Sequence, residues 1–411
     1  MRYLLGLFIF LFGPCIQVRA QYGCTDLQAT NYDPSAVFND GSCSYPSTTL
    51  TTSQVTLLQT PALDENSGLC HSLGNLWTHV DDTDEDLYLI DTVTGNIRRA
   101  LSIPFCNNSD WEDVALDSFF VYVGDIGNNS GNRTDLRFFR FSRAAIDSTS
   151  GVVTSVDTIG FSYPDQTDFT AAYNNTRFDA EAFIVKDDSI HIFSKDWVFS
   201  RARHYVLPAT PGTHVAQLRD SINANGLITG ASLSSDGVIA LIGYDKVFPA
   251  PCFIWMLNDY QGNEFFSGNK RYFSLGSAIT YGQTEAITFS TGYKGYLSNE
   301  RFQQSILNVP PALRRFDLSP YIVQPSTTVN EVLSETVSID PQPASGVLHV
   351  SFRGNVNGFW RIISISGQIV AEGQFPDASV HIGCESIPPA IYILEVNGKN
   401  GQVYRTRVII G

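Results

Sequence analysis

One short phrase recurs five times in the central part of this chain. Each copy is followed by a turn and then by an apolar strand that ends in a polar or acidic residue. The copies read ENSGL, WEDVA, DAEAF, LITGA and QTEAI, beginning at Glu65, Trp111, Asp179, Leu227 and Gln283. Such a repeat determines the architecture, because each copy belongs to one supersecondary unit that stacks on its neighbours.

The spacing of the copies is that of propeller blades. Apolar runs of four to seven residues, rich in Val, Ile, Phe and Tyr and bounded by turns, indicate strands. The equivalent positions Asn66, Glu112, Glu181, Thr229 and Glu285 lie about 46 to 69 residues apart, and a four-stranded blade needs about 40–50 residues. We expect the polar insert at residues 165–177, inside the longest interval, to form a loop on one face.

The sequence therefore predicts an all-β chain with a five- or six-bladed β-propeller. In a five-bladed ring, residues 55–59 would supply the outer strand that completes the last blade. A sixth, degenerate blade would need most of residues 300–335. A solenoid or a pair of sandwiches is the alternative architecture.

Composition and the amino terminus indicate an exported protein. The chain has 411 residues and a formal charge of −15, which excludes nucleic acid and anionic membranes as favoured partners. Arg2, the apolar stretch from Leu4 to Phe12 and a small-residue site ending at Ala20 have the pattern of a secretory signal. No other stretch is apolar for long enough to span a membrane. We divide the chain into a signal peptide (1–20), a cysteine-stapled segment (21–46), the propeller (47–322), a linker (323–337) and a C-terminal β-sandwich (338–411).

Six cysteines remain after the signal, and an even number in an exported chain permits disulfides. Cys24 and Cys43 bracket one short segment and are the safest pair. A Cys70–Cys106 bridge within one repeat unit is plausible. Cys252 and Cys384 are either paired or buried thiols.

The segment between Cys24 and Cys43 is rich in Asp and Asn. These side chains could bind calcium, which prefers oxygen ligands, or could cap turns. They are Asp26, Asn31, Asp33, Asn39 and Asp40. The G-C-T-D, N-Y-D-P-S-A and D-G-S-C pieces resemble a short motif of exported proteins from Bacteroidetes-type bacteria, with Thr30 where other copies often have cysteine.

The repeated phrase places carboxylates at equivalent positions. If it forms the innermost strand of each blade, Glu112, Glu181 and Glu285 converge on the channel. Asp113, Asp179 and Asn66 then lie beside them. Clustered carboxylates repel unless a cation neutralises them, and calcium is the natural candidate in an exported protein. A second polar set closes the next strands and should lie near the channel mouth: Asp81 or Asp82, Asp125, Asp196, Asp245 and Asn299-Glu300. The alternative is that the repeated acids bond backbone amides of the neighbouring blade.

The D-A-E-A-F and Q-T-E-A-I strands resemble those of a broad class of six-bladed propellers that includes phytases, lactonase-like esterases and related calcium-binding proteins. The resemblance implies a fold more than a reaction. Phytases hold phosphates with clustered basic residues, and here Arg133, Lys195, Lys246 and Arg301 follow second strands. Lactonases of this class use a histidine near calcium, for which His79 is the candidate. The chain lacks the G-x-S-x-G, H-E-x-x-H and phosphate-loop motifs.

Strand-like runs and turn residues from Ser338 onward predict a small β-sandwich. The pieces P-Q-P-A-S, I-S-G-Q and I-Y-I-L-E-V, with a basic last strand, resemble the type A sorting domain of the type IX secretion system. Gln342 and Ala390 stand where that family usually has Asn and Gly. The resemblance implies recognition of residues 338–411 by the secretion machinery, and release or attachment at the outer cell surface.

Two functions agree with these patterns. The first is a secreted or surface binding module that contacts an extracellular ligand through one propeller face. The second is a calcium-dependent hydrolase, phytase-like or lactonase-like, at the propeller channel. The predicted metal ligands are Glu112, Glu181, Glu285, Asn66 and Asp125.

Overall fold

A computed structural model describes residues 21–81, 84–322, 337–340, 344, 346–352, 358–364, 368–375, 379–398 and 403–411. The predicted signal peptide and nearly all of the predicted linker lie outside these residues. The chain divides into two compact units, the first ending at Ile322 and the second beginning at Val323.

The first unit is built from 26 strands. In chain order they are β1 (Tyr22–Gly23), β2 (Phe38–Asn39), β3 (Thr48–Thr49), β4 (Ser53–Leu57), β5 (Asn66–Ser72), β6 (Asn75–Val80), β7 (Asp86–Ile90), β8 (Ile97–Ser102), β9 (Trp111–Leu116), β10 (Phe120–Asp125), β11 (Arg137–Ser142), β12 (Asp157–Ser162), β13 (Asp179–Lys186), β14 (Ser189–Lys195), β15 (Arg201–Pro208), β16 (Gly212–Val215), β17 (Gln217–Asn223), β18 (Leu227–Leu233), β19 (Ile239–Tyr244), β20 (Pro251–Asn258), β21 (Asn269–Ser277), β22 (Gln283–Thr291), β23 (Lys294–Glu300), β24 (Phe302–Gln304), β25 (Leu307–Val309) and β26 (Ala312–Asp317).

Helices are short in this unit. They are α1 (Ala144–Asp147), α2 (Ala278–Tyr281) and single 3-10 turns at Phe265–Ser267 and Ser319–Tyr321. Within the part of the chain described above, none of the helices has the length and apolar character needed to cross a membrane.

Five sheets form the blades of a propeller, each with four antiparallel strands. Strands β16 and β3 add a parallel edge strand to the second and fourth sheets. Blade 1 consists of β5–β8, blade 2 of β9–β12, blade 3 of β13, β14, β15 and β17, blade 4 of β18–β21, and blade 5 of β22, β23, β26 and β4. The innermost strands β5, β9, β13, β18 and β22 each contact the next, and β22 contacts β5, so the ring closes. The repeated phrase therefore forms the innermost strands, as the sequence predicts.

The ring closes through a strand from the beginning of the unit. Strand β4 pairs antiparallel with β26, with Leu57 opposite Ala312. This is the outer strand expected near residues 55–59. The residues that a sixth blade would need instead form the hairpin β24–β25 and strand β26 of blade 5. The described structure is therefore the five-bladed alternative.

Apolar side chains fill the space between each pair of neighbouring blades. Five buried clusters occur, one for every blade boundary. Burial of such side chains is the main force that holds neighbouring sheets together. Representative pairs across the boundaries are Trp77 with Val121, Tyr122 with Phe183, Phe193 with Ile239, Tyr244 with Ile287, and Ala286 with Leu76.

The N-terminal segment is held by the predicted Cys24–Cys43 disulfide, whose Cα atoms lie 4.8 Å apart. It also packs on blade 4: Arg271 donates to Gln28 at 2.5 Å and lies 4.9 Å from the centroid of the Tyr45 ring. The segment therefore depends on the propeller as well as on its disulfide. Its five Asx side chains each accept a backbone N–H at 2.8–3.0 Å, which is the turn-capping alternative: Asp26, Asn31, Asp33, Asn39 and Asp40.

The other four cysteines of the described chain are free and buried. Cys70 and Cys106 lie in the same apolar cluster between blades 1 and 2 without a bridge. Burial raises the pKa of the Cys106 thiol to about 12, so it behaves as an inert core residue.

The second unit contains two sheets. Their strands are β27 (Val337–Asp340), β28 (Val347–Phe352), β29 (Gly358–Ser364), β30 (Ile369–Phe375), β31 (Ser379–Gly383), β32 (Ala390–Gly398) and β33 (Val403–Ile410). One sheet has the order β27-β28-β31 and the other the order β30-β29-β32-β33. A core that includes Leu348, Ile362, Ile382 and Leu394 draws on both sheets. The unit is therefore the predicted β-sandwich.

Candidate functional site: an acidic cavity at one end of the channel

A cavity of about 250 Å³ lies where the innermost strands begin and the second strands end. Antiparallel pairing brings these two sets together, for example Asp179 opposite Lys195 and Gln283 opposite Glu300. We call it the acidic cavity. It is lined by Ser67, Asp81, Asp110, Glu112, Asn129, Tyr173, Asn174, Glu181, Lys195, Trp197, Tyr244, Gln283, Glu285 and Glu300.

A β-bulge explains how the repeated glutamates reach the cavity. In blades 2, 3 and 5 the pairing between the first two strands skips Glu112, Glu181 and Glu285, which have no cross-strand partner. Thr229 is skipped in the same way in blade 4. A bulge inserts one extra residue and re-aims its side chain. The phrase therefore recurs because each blade needs the same bulge at the channel.

In blade 1 the residue that lines the cavity is one position later than the sequence repeat predicts. The bulge of this blade contains Ser67 and Gly68, between the paired residues Asn66 and Leu69. Ser67 lines the cavity, whereas Asn66 is fully buried and donates from Nδ2 to the Asn299 carbonyl at 2.8 Å. The structure thus does not bring Asn66 to the cavity lining.

At two of the five bulges the side chain is a hydroxyl that hydrogen-bonds the neighbouring blade. Ser67 donates from Oγ to the Glu112 carbonyl at 2.5 Å, and Thr229 donates from Oγ1 to the Thr284 carbonyl at 2.7 Å. Each bond joins one innermost strand to the next. At the other three bulges the longer glutamate side chain reaches the cavity.

The three glutamates are buried but differ in their partners. Glu181 forms an ion pair with Lys195 through Oε1, and Glu285 accepts from Gln283 Nε2 at 2.7 Å. Glu112 is 6 % exposed, and its carboxylate has no hydrogen-bond or ion-pair partner among the described residues. A buried, unpartnered carboxylate is costly. Glu112 is therefore the lining residue most in need of a ligand.

Lys195 supplies an internal cation. It is 3 % exposed, and its ammonium lies 4.9 Å from the Trp197 ring centroid and 5.6 Å from the Tyr244 centroid. Burial alone would lower its pKa, but Glu181 and the neighbouring acids hold it well above the usual value. The cavity thus already binds one ammonium group by a carboxylate and two aromatic rings.

The cavity favours the neutral form of its acids. Burial raises the pKa of Glu285 to about 7 and that of Asp110 to about 6. Burial and then Glu181 raise the pKa of Glu112 well above its ordinary value. These carboxyl groups would release protons if a cation entered.

Three more carboxylates gather at the cavity mouth. Oxygens of Glu65, Asp81 and Glu300 lie within 4.8 Å of one another, and we call this set the rim triad. Burial raises the pKa of Glu300 well above its usual value, and Glu285, Glu65 and Asp81 act in the same direction. The sequence predicts Asp81 and Glu300 near the channel mouth, but it does not predict a role for Glu65 there.

Asp125 is held away from the cavity lining by two ion pairs. Its carboxylate lies 2.9 Å from Arg133 and 2.8 Å from Arg137. It also accepts from the Asp110 backbone N–H at 3.2 Å. Asp125 therefore orders the loop that carries Asp110, and its charge is balanced within the chain.

Two acids of the repeated phrase bond backbone amides of other blades or loops, as the structural alternative expects. Asp113 accepts from the N–H groups of Val114 (2.8 Å), Phe183 (3.4 Å) and Ala231 (3.2 Å), and so joins blades 2, 3 and 4. Asp179 accepts from the Asn128 N–H and from Trp197 Nε1. The repeated acids therefore divide into structural aspartates and cavity-lining glutamates.

Other candidates of the sequence analysis lie elsewhere. Lys246 donates to the Trp197 carbonyl, and Arg301 pairs with Asp64 at 2.9 Å. His79 is fully buried and accepts from the Gly68 N–H at 3.3 Å. Asp196 and Asp245 accept backbone N–H bonds in turns, while the preceding residues Lys195 and Tyr244 line the cavity.

Two residues of the predicted insert at residues 165–177, Tyr173 and Asn174, line the cavity. Backbone N–H groups of Ala172 and Asn174 donate to the carbonyls of Ser130 and Asn129. These bonds hold Tyr173, which is 76 % exposed, at the cavity edge. The sequence signals a loop here, but not its contact with the cavity.

A second cavity of about 340 Å³ lies at the other end of the innermost strands. Later residues of all five innermost strands line it, including Cys70, Ala115, Val185, Leu233 and Phe289. Among its described lining residues there is no Asp or Glu, and Arg143 is the charged group.

Comparison with known proteins identifies the second unit. Residues 338–411 match the family described as the secretion system C-terminal sorting domain. This unit is therefore a sorting domain of the type IX secretion system, as its sequence indicates. It implies recognition by that machinery and export, with secretion or attachment at the cell surface. No curated protein sequence matches the chain.

Several solved structures are weakly similar to this chain, with TM-scores below 0.5. One is the PQQ-bound aldose sugar dehydrogenase of Streptomyces coelicolor, with 12% identity over 66% of this chain and 99% of that one and a TM-score of 0.40. Another is glutaminyl cyclase of Myxococcus xanthus, with 8% identity, the same coverages and a TM-score of 0.38. PorZ, a surface component of the type IX system of Porphyromonas gingivalis, has 11% identity over 84% of this chain and a TM-score of 0.31. The chain spans 45% of PorZ. These likenesses concern the fold alone.

Proposed function

We propose that this exported protein is a binding module that takes a positively charged ligand in its acidic cavity. The observation that carries the proposal is Glu112, whose buried carboxylate lines the cavity without a partner among the described residues. The sorting domain brings the propeller outside the cell, where such a ligand would be met.

The charge balance of the cavity supports a cationic ligand. Six carboxyl groups line it against one ammonium, that of Lys195. Carboxylates at short range repel one another, and a bound cation would relieve this repulsion. Burial raises the pKa values of Glu285 and Asp110, and neighbouring carboxylates raise them further.

Calcium is one cation that we propose. The predicted ring of Glu112, Glu181 and Glu285 contains Lys195, whose ammonium already pairs with Glu181. The rim triad suits calcium better, because its carboxylate oxygens approach one another within 4.8 Å and calcium takes six to eight oxygen ligands.

The hydrolase alternative has less support. A phosphate ester would meet mostly carboxylates in the acidic cavity, with Lys195 already paired. His79, the candidate for lactonase-like chemistry, accepts a backbone hydrogen bond in the core. We therefore favour binding over hydrolysis.

Calorimetric titration of the full chain tests the proposal with three probes: calcium chloride, putrescine and inorganic phosphate. We expect heat of binding with at least one cation and none with phosphate. Glu112→Gln should weaken cation binding, whereas Asp236→Asn, which removes an exposed acid from a hairpin turn, should not. Silence with both cations, or binding of phosphate instead, would contradict the proposal.

A further inference from the structure

The carboxylates of the acidic cavity extend from an inner group to the rim triad, and Glu181 and Glu285 connect the two: Glu181 acts on Glu112, and Glu285 acts on both Glu181 and Glu300. The inner group is Asp110 and Glu112, which lie together against Gly127: a Cβ at Gly127 would be 2.2 Å from Glu112 Oε1 and 2.3 Å from Asp110 Cγ. The other group is the rim triad. Burial raises the pKa of Glu112, and Glu181, Asp110 and Asp179 raise it further.

Lys195 interacts with both groups. It lowers the pKa of Glu112 and also that of Glu300, so its ammonium is within electrostatic reach of each. Its own partner is Glu181. Arg133 also acts on Asp110, and Arg301 on Glu65, from outside the lining. Among the residues that line the cavity, six carboxyl groups nevertheless face one ammonium.

The walls of the cavity suit organic ammonium groups. Trp197 and Tyr244 flank the Lys195 ammonium, and the exposed Tyr173 stands at the edge. Aromatic faces attract ammonium groups and also contact an aliphatic chain. A volume of about 250 Å³ is far more than one metal ion fills.

We propose that the ligand is a linear aliphatic polyamine, with one ammonium at the inner group and another at the rim triad. This inference rests on the proposed cation-binding function and specifies its ligand class. Glu112 lies at the inner end, where the unpartnered carboxylate accepts an ammonium N–H. The aliphatic chain passes the aromatic rings beside Lys195.

A metal ion satisfies this arrangement less completely. Calcium at the rim triad would leave Glu112 without a partner, because Glu112 is not one of the carboxylates whose oxygens gather there. Calcium at the inner group would compete with the Lys195 ammonium for Glu181. Two cationic groups joined by a chain reach both places at once.

The test compares putrescine with butylamine, which has the same carbon chain and a single amine. Titrated into the full chain at low ionic strength, putrescine should bind at least about tenfold more tightly, since each added ion pair in a partly buried site is worth on the order of 1 kcal/mol or more. Glu112→Gln and Glu300→Gln should each reduce putrescine affinity toward that of butylamine. Asp236→Asn should leave both affinities unchanged.

Tyr173→Ala provides a second variant that does not depend on buried residues. Tyr173 is 76 % exposed, so its loss should not disturb the fold, and it should weaken putrescine severalfold while leaving calcium binding unchanged. Equal affinities for putrescine and butylamine would overturn the inference. Binding of calcium without any amine would also overturn it while the cation-binding function stands. No binding of any cation would remove both.

Discussion

The two ends of the propeller channel are built from the same five strands yet differ in chemistry. The acidic cavity has six carboxyl groups, and the second cavity has none among its described lining residues. At the acidic end each innermost strand contains a bulge, and at the other end its later residues pair regularly with the second strand apart from one irregularity in blade 5. The bulge is therefore what distinguishes the two ends.

The difference shows how a propeller separates a binding end from a structural end. A bulged residue leaves the pleat, so its side chain is free to face the channel. Regularly paired residues alternate between the two faces of a blade and fill the space between blades. Asp113 follows the bulged Glu112 of the acidic cavity and precedes Val114 of the second cavity. Its hydrogen bonds join three blades.

The largest expected effect on stability comes from removing the Asp113 carboxylate, which accepts hydrogen bonds from three blades. Asp113→Ala would leave three buried N–H groups without their acceptor, which we expect to lower the free energy of unfolding by about 3–5 kcal/mol. Denaturant unfolding, followed by tryptophan fluorescence, measures the loss. The matched variant at the second cavity is Ser232→Ala, because Ser232 accepts one N–H, that of Phe289, at 3.0 Å. It should cost about 1 kcal/mol. Equal losses of stability in the two variants would contradict the claim that the Asp113 hydrogen bonds stabilise the propeller more than that of Ser232.

The next effect tests the internal cation of the acidic end. Lys195→Met leaves Glu181 buried without its ion-pair partner, and we expect a loss of about 3 kcal/mol. The double variant Lys195→Met/Glu181→Gln removes both charges and should recover most of that loss. If the double variant is no more stable than Lys195→Met, packing of the lysine chain rather than its charge explains the effect.

The sequence predicts the architecture well because the repeat and the strand pattern are both local signals. The innermost strands, the closing strand near residues 55–59 and the C-terminal sandwich all follow from them. The convergence of Glu112, Glu181 and Glu285 follows as well, since equivalent residues of a ring face the same axis.

The rest of the site depends on one-residue shifts that a sequence pattern does not specify. The wider bulge of blade 1 puts Ser67 rather than Asn66 at the cavity, and the second strands of blades 3 and 4 present Lys195 and Tyr244 instead of the aspartates that follow them. A shift of one residue moves a side chain to the other face of a strand. Asp125 ends a second strand, as the sequence predicts, but it pairs with Arg133 and Arg137 instead of lining the cavity. These arginines lie in a loop and a strand outside the repeated phrase.

The smallest effect is the pH dependence of stability, which should arise at the acidic end. Glu285 has an ordinary pKa of 4.5, and burial raises it to about 7 in the folded protein. Between these values the folded protein holds a proton that the unfolded chain has lost, so the contribution is complete below pH 4.5 and disappears as the pH rises through about 7. Asp110, with a pKa of about 6, acts in the same direction. The contribution of Glu285 alone should lower the free energy of unfolding by about 2 kcal/mol between about pH 5 and pH 7, and Asp110 should add about 1 kcal/mol to this fall.

Thermal and denaturant unfolding across this range measure the fall. Glu285→Gln should reduce the slope by more than half, because glutamine does not titrate and Asp110 remains, whereas Ser232→Ala at the second cavity should keep the parent slope. A bound cation should also flatten it, since it favours the ionised carboxylates that high pH produces. A parent protein whose stability does not change over this range would contradict the assignment of the pH response to Glu285. An unchanged slope in Glu285→Gln would instead assign the response to Asp110 or the rim triad. The slope of Asp110→Asn would then distinguish the inner group from the rim triad.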